Sequence, residues 1–212
     1  MLDLLLNHKR EILTLASEHL WLVGVSMLLA IAVGIPAGIF LTRRPAWKNL
    51  VLGANSVIQT IPSLALFGLL LPLPWLGARS DRLAIFALTL YALLPVTQNT
   101  YVGIMGVDPP VREAAVAMGL TRRQLLWHVE LPLASNVIVA GIRVATVASV
   151  GLATIAAAIG AGGLGEFIFR GLAMVDNRVI LAGAVPAALM ALCAYFLLGL
   201  IQRLILRARV HH

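Results

Sequence analysis

The stretch LASNVIVAGIRVATVASVGLATIAAAIGAGGLG, Leu133–Gly165, sets the reading of the whole chain, because it closes on a literal G-x-G-x-x-G at Gly160, Gly162 and Gly165. That pattern marks a dinucleotide site only when it follows a short strand, opens a helix and is answered by an acid about 20 residues on. Here the apolar run Leu133–Ile159 is far too long for a strand, and 20 residues past Gly165 the chain reads VPAAL, with Asp176 arriving too early. The context fails. The glycines read instead as the end of a membrane span, where they permit left-handed backbone and close approach of neighbouring chains.

On either side of it, the same kind of run recurs. The 212 residues are 60% hydrophobic and 12% charged, with mean hydropathy +0.95, well beyond the roughly 45–50% apolar usage of soluble domains. A helix needs about 20 apolar residues to cross the roughly 30 Å hydrocarbon layer. Five runs qualify: Leu20–Leu41, Leu50–Leu71, Leu83–Met105, Leu133–Ile159 and Val179–Ile201. None alternates as a barrel strand would, so the fold class is all-α, a polytopic helical bundle. The chain divides into an N-terminal interfacial segment 1–19, a transmembrane domain 20–202 containing a long loop 106–132, and a basic tail 203–212. The N-terminal MLDLLLNHKREILTLASEHL, residues 1–20, lacks the basic start, apolar core and small-residue cleavage site of a removable signal, and offers Leu6, Ile12, Leu13 and Leu20 for one interfacial face.

Charge assigns the sides. Arg43, Arg44, Lys48, Arg112, Arg122, Arg123, Arg203, Arg207 and Arg209 fall on one side of a five-span bundle, and Lys9, Arg10, Arg79, Arg82, Arg170 and Arg178 on the other. Nine against six predicts a cytoplasmic C-terminus and an external N-terminus. Net charge follows the same division. Subtracting Asp108, Glu113 and Glu130 leaves the first set at +6, while the second cancels against its six acids; Arg143 supplies the remaining +1. The basic balance is thus a topology signal, and nucleic acid is not an expected partner. Chemistry is sparse. Cys193 is the only cysteine, and the histidines are too few and scattered for a catalytic or metal site, so no catalytic residue and no metal are expected.

The loop VDPPVREAAVAMGLTRRQLLWHVELPLA, Val107–Ala134, is ordered by its residues. Asp108 can cap a helix that begins at Pro109, and Gly119 can close it. Thr121 and Gln124 offer a capping box for a second helix ending before Pro132. A helix-turn-helix bearing Arg122 and Arg123 has a DNA-binding reading, but the acids of the loop neutralise it. Docking to a protein is favoured: Ala114, Ala115 and Ala117 allow close backbone approach and Glu113 offers a carboxylate. A plain structural loop is the alternative.

On these residues the chain resembles the inner-membrane permease subunits of ABC importers. EAAVAMGLTRRQLLWHVELP carries their EAA signature: Glu113, Ala114, Ala115, then Gly119, Leu131 and Pro132, with Val129 where isoleucine is usual. IQTIPSLALFGLLLPL (Ile58–Leu73), YALLPVTQNTYVGI (Tyr91–Ile104), AGIRVATVASVGLATIAAAIGAGGLG (Ala140–Gly165) and AGAVPAALMAL (Ala182–Leu192) narrow the resemblance to the quaternary-amine branch, importers of glycine betaine, carnitine, choline or proline betaine. A permease for methionine or another small solute, or a channel or carrier outside the ABC class, is the alternative.

The resemblance implies a type I importer permease in the bacterial inner membrane, whose coupling helix rests on a separate ATPase. The chain has no G-x-x-x-x-G-K-[ST] phosphate loop, so ATP and Mg are expected on that partner and no cofactor on this chain. An extracytoplasmic substrate-binding protein is a second implied partner. A second permease, identical or paralogous, is the third, since five spans make half of a path. Gln59, Thr60, Thr97, Gln98 and Asn99 are the polar candidates for lining that path, with helix-to-helix hydrogen bonding as their commoner use. Arg143 reads as a snorkelling or acid-paired side chain in preference to a substrate contact. Gly34 and Gly38, spaced as G-x-x-x-G, read as a possible packing face.

Overall fold

Between Lys9 and Arg43 nothing interrupts helix formation except Pro36, and the chain forms one 35-residue helix, α1. The computed structural model describes residues 9–210, with side chains through Ile205; Leu6 of the expected interfacial face and His211 and His212 lie outside it. No break in the helix falls between residues 19 and 20, where the interfacial segment was expected to give way to the first span. LTLASEHL holds no glycine or proline, and Leu15 and His19 are buried against the bundle, so the helix runs on through these residues. His19 shares a 3.0 Å hydrogen bond through Nε2 with the carbonyl of Val150.

The second span is broken. Helix α2 (Pro45–Thr60) and helix α3 (Ser63–Leu70) meet at 101°. Pro62 has no N–H to donate and holds Ile61 in extended backbone (φ −72, ψ 126), which ends the helix before it. The carbonyl freed at Ile61 accepts the Tyr91 hydroxyl at 2.5 Å, and Gln59 Nε2 donates to the carbonyl of Tyr91 at 2.8 Å. In lipid each such group must find a partner inside the protein, and Tyr91 supplies it from α4 (Ser80–Met105).

The long loop forms α5 (Pro109–Ala117), then α6 (Arg122–Leu125), a π turn (Leu126–Glu130) and α7 (Leu131–Ala156). The capping box is present: Thr121 Oγ1 accepts the Gln124 N–H, and Gln124 Oε1 accepts the Thr121 N–H. Asp108 stands at the start of α5, but its side chain makes no capping bond. The second helix does not stop before Pro132. The π turn lets the Leu131 N–H reach the Leu126 carbonyl, so Pro132 enters where its missing N–H disrupts little, and one helix runs from Arg122 to Ile159. A 3-10 turn (Ala157–Ile159) and left-handed Gly160 end it. Helix α8 (Gly165–Met174), which the sequence reading missed, precedes the last span, α9 (Asn177–Val210).

Helices α1, α4 and α7 form the centre, with α2 and α3 against α4 and with α9 beside α7 and α8. Hydrophobicity gives little reason for helices to associate within lipid, so close packing through small residues carries it. Ala30, Ala84, Ala87, Ala92, Ala145 and Ala153 are accordingly all buried in this centre. The G-x-x-x-G pair does pack: a Cβ on Gly38 would lie 2.6 Å from Thr100 Cβ and 2.8 Å from the carbonyl of Thr97.

Candidate functional site

At one end of the bundle the carboxylate of Glu130 is almost fully enclosed, at 2% exposure. Arg43, closing α1, places Nη2 2.5 Å from Glu130 Oε2, and Arg112, on α5, places Nε 3.5 Å from Oε1. Arg112 also donates through Nη2 to the carbonyl of Ile104. One acid thereby ties three elements: the end of α1, the short helix of the loop and the π turn leading into α7. Burying a carboxylate is costly unless it is paired and hydrogen-bonded; Arg43 supplies the hydrogen bond and Arg112 a second, longer ion pair in which its Nε makes no hydrogen bond.

This latch fixes which face of α5 looks outward. Val111, Glu113, Ala114, Val116, Ala117 and Met118 are exposed, Met118 to 74%. Gly119 follows at φ +85, left-handed backbone that turns the chain into α6. The six residues expected to meet an ATPase therefore divide. Glu113, Ala114 and Gly119 lie on the open face. Ala115 is buried toward the bundle, and Leu131 packs with Ile104, Ala134 and Ile138 while Pro132 opens α7 beside it. Ala115, expected to approach a partner, instead has its methyl 2% exposed in this chain and turned toward the bundle. Sequence reasoning also missed Arg43, Arg112 and Glu130 as a unit; their one visible signal was the neutralised charge of the loop.

The polar candidates for a path are not brought together. Gln59 lines a cavity of about 390 Å³ with Tyr91, Pro95, Val144, Ala148 and Ser149, between the break in the second span, α4 and α7. Thr60 returns its hydroxyl to the carbonyl of Val57. Thr97 is wholly buried against Gly34, and Asn99 donates to the Pro95 carbonyl beside Gly141. Gln98 is exposed. Of the five, Gln59 alone lines this cavity, while Thr97 and Asn99 serve helix packing. The sequence reading missed Ser149 and Tyr91.

At the opposite end, Gly160, Gly162 and Gly163 take φ between +75 and +85. The Gly163 N–H donates to Glu18 Oε2 at 3.1 Å, and this loop borders a cavity of about 500 Å³ with Trp21, Asp81 and Glu166. The motif is a capped helix end leaning on α1, with none of the strand context of a nucleotide fold. Among the described residues no cluster of three His, Cys, Asp or Glu side chains is placed to hold a metal.

Comparison with known proteins agrees with this architecture. The family described as the binding-protein-dependent transport system inner membrane component matches residues 30–211. The chain is 44% identical over 185 residues to the carnitine transport permease protein OpuCB of Listeria monocytogenes, covering 87% of this chain and 84% of that protein. It is 40% identical over 200 residues to the osmoprotectant import permease protein OsmW of Salmonella typhimurium, covering 93% of each. It is 43% identical over 187 residues to the glycine betaine/carnitine/choline transport system permease protein OpuCD of Bacillus subtilis, covering 88% and 80%. Among solved structures, a chain of the MetNI methionine ABC transporter in an inward-facing conformation superposes with TM-score 0.82 at 22% identity, covering 92% of this chain and 95% of that one. An amino acid ABC transporter gives TM-score 0.72 at 20% identity, covering 94% and 96%. These two likenesses bear on the fold alone.

Proposed function

The chain belongs to the inner-membrane components of binding-protein-dependent transport systems, and on that footing we propose that it forms half of the path of an ATP-driven importer of quaternary-ammonium compatible solutes such as glycine betaine, carnitine, choline or proline betaine. The observation that carries the substrate class is 40–44% identity, over nearly nine-tenths or more of the chain, to permeases named for carnitine, choline, glycine betaine or osmoprotectants. The methionine transporter appears as fold likenesses at 22% and 24% identity, which bear on the fold and not on the substrate. The self-contained channel or carrier is set aside with the family match.

In the proposed mechanism the open face of α5, with Glu113, Ala114 and Gly119, sits on a separate ATPase that holds ATP and Mg. Closure of the ATPase pair displaces α5. The Arg112–Glu130–Arg43 latch then carries that displacement into α7 and α1 together, because neither helix can stay behind without stripping a buried carboxylate of its partners. The groove at Gln59, Tyr91 and Ser149 faces the path made with a second permease copy or paralogue, and an extracytoplasmic binding protein delivers the solute. The basic end lies in the cytoplasm, following the excess of Lys and Arg there, which leaves the N-terminus outside. The chain itself is non-catalytic.

Uptake of labelled glycine betaine, carnitine, choline and methionine is measured in cells lacking their own carriers and expressing this chain with its partner subunits. Saturable uptake of a quaternary amine, competed by the others, is the expected result. Uptake of methionine alone would overturn the substrate class.

A further inference from the structure

Arg143 is the formal charge inside the long apolar run of α7, and it finds a ring instead of an acid: its guanidinium lies 4.5 Å from the centroid of Tyr195 on α9. It opens into a cavity of about 420 Å³ that also holds Arg203 and Gly199, with no carboxylate among its described lining. Directly adjoining, and sharing Phe196 and Leu200 as walls, is a larger groove of about 610 Å³. That groove runs between α1, α7 and α9 past Leu20, Val150, Met190, Cys193 and Leu197. Both volumes fall within the roughly 300–1,000 Å³ of small-molecule sites.

We propose that this double cavity is a binding site for one anionic phospholipid, its phosphate held by Arg143 and Arg203 and one acyl chain lying in the groove. The shape and the charge agree on that occupant. The groove offers an apolar wall nearly without polar atoms, which suits a hydrocarbon chain, and it meets two guanidinium groups at one end only. Guanidinium binds phosphate in paired hydrogen bonds, and basic pockets between membrane helices on the basic side are where anionic headgroups bind. Depth agrees too. Gln202, one residue before Arg203, bonds Asn136 on α7 at 2.6 Å, so Arg203 and Arg143 sit within about two turns of each other toward the basic end. The Tyr195 ring holds the Arg143 guanidinium against α9 by cation–π attraction, where it can face a headgroup. A second copy of the chain fits less well, because a protein surface covering the groove would have to bury both arginines and supply acids for them.

Cys193 lies in the groove and is the only cysteine, so the unaltered chain accepts a single bimane label there. The labelled protein, purified with the subunits that accompany it, is placed in nanodiscs of phosphatidylcholine containing brominated phosphatidylglycerol or brominated phosphatidylcholine. Quenching at a mole fraction of phosphatidylglycerol at least fivefold lower is expected, together with one retained phosphatidylglycerol in native mass spectra of unlabelled protein. In Arg143→Gln/Arg203→Gln the fivefold preference should vanish, whereas Arg178→Gln, removing a charge at the other end, should keep it. Equal quenching by both lipids in the unaltered chain overturns the site. So does Cys193-to-Cys193 crosslinking with no quenching by either lipid, which would assign the groove to a second copy. Because the readout is lipid occupancy and not uptake, the result stands apart from the fate of the substrate assignment.

Discussion

Glu130 shows how one residue can carry more structure than its neighbours in a motif. Its two partners differ in shielding: Arg112 keeps a quarter of its side chain exposed and Arg43 39%. Glu130→Gln preserves shape but leaves both guanidinium groups facing an amide. Breaking a fully buried pair costs roughly 3–5 kcal/mol, and with the partners partly in water about 1–3 kcal/mol is expected. Thermal unfolding in detergent should therefore show a lowered midpoint for Glu130→Gln and a smaller drop for Arg43→Gln. Equal drops would mean that the carboxylate is not the hub. Tyr91→Phe is the second test of a single side chain. It removes the donor to the Ile61 carbonyl at the broken span and should cost about 1–3 kcal/mol, the range for an orphaned acceptor. An unchanged midpoint would argue that the break needs no such support.

Among the helices, close contact is local and can be tested by adding a single methyl. A Cβ at Gly141 would stand 2.7 Å from the Pro95 carbonyl and 2.5 Å from Asn99 Cβ, so Gly141→Ala forces α7 off α4 and should destabilise by about 1–3 kcal/mol. Gly24 in α1 has nothing within 4 Å of the same position, and Gly24→Ala should stabilise by up to about 1 kcal/mol. The two unfolding midpoints must move in opposite directions if packing governs. The same contrast between local and distant contacts separates what was legible in the sequence from what was not. Five runs of hydropathy and the Thr121–Gln124 capping box are properties of adjacent residues, and both are present. Pro62 was equally visible, yet a count of apolar residues passes over it, and the second span is bent where it was expected to run straight. The continuity of α1 through residues 9–19 depends on what buries Leu15 and His19, which lies in other helices. Helix α8 hides behind a glycine-rich turn whose left-handed backbone carries no sign of a helix beyond it. Glu130 needed the distances to Arg43 and Arg112, and its sequence neighbourhood offered only a neutral sum.

Across the molecule, the Arg43–Glu130–Arg112 ion pairs join α5 to the helices behind it, so under the proposed function damage to the open face should separate two activities. Glu113→Lys reverses the charge of an exposed residue and touches none of the latch. It should leave the amount of protein in the membrane unchanged and lower uptake at least tenfold, while ATP hydrolysis by the partner continues. Gly119→Asp should act similarly: no atom lies within 4 Å of its Cβ position, so its cost is the left-handed backbone and the added charge. Normal uptake in both variants, measured beside hydrolysis in the same vesicles, would remove α5 from the coupling role.

The π turn at Leu126–Glu130 makes the stretch from Arg122 to Ile159 a single rod of 38 residues. At 1.5 Å per residue that is about 57 Å, longer than the bilayer is thick. A tilt of only about 5° about its middle swings either tip by roughly 2.5 Å in opposite senses. The far tip is the glycine loop that hydrogen-bonds Glu18 through Gly163. Were the rod to tilt as a unit, the loop at one tip would move with the helix end at the other, with no relay of intermediate contacts required.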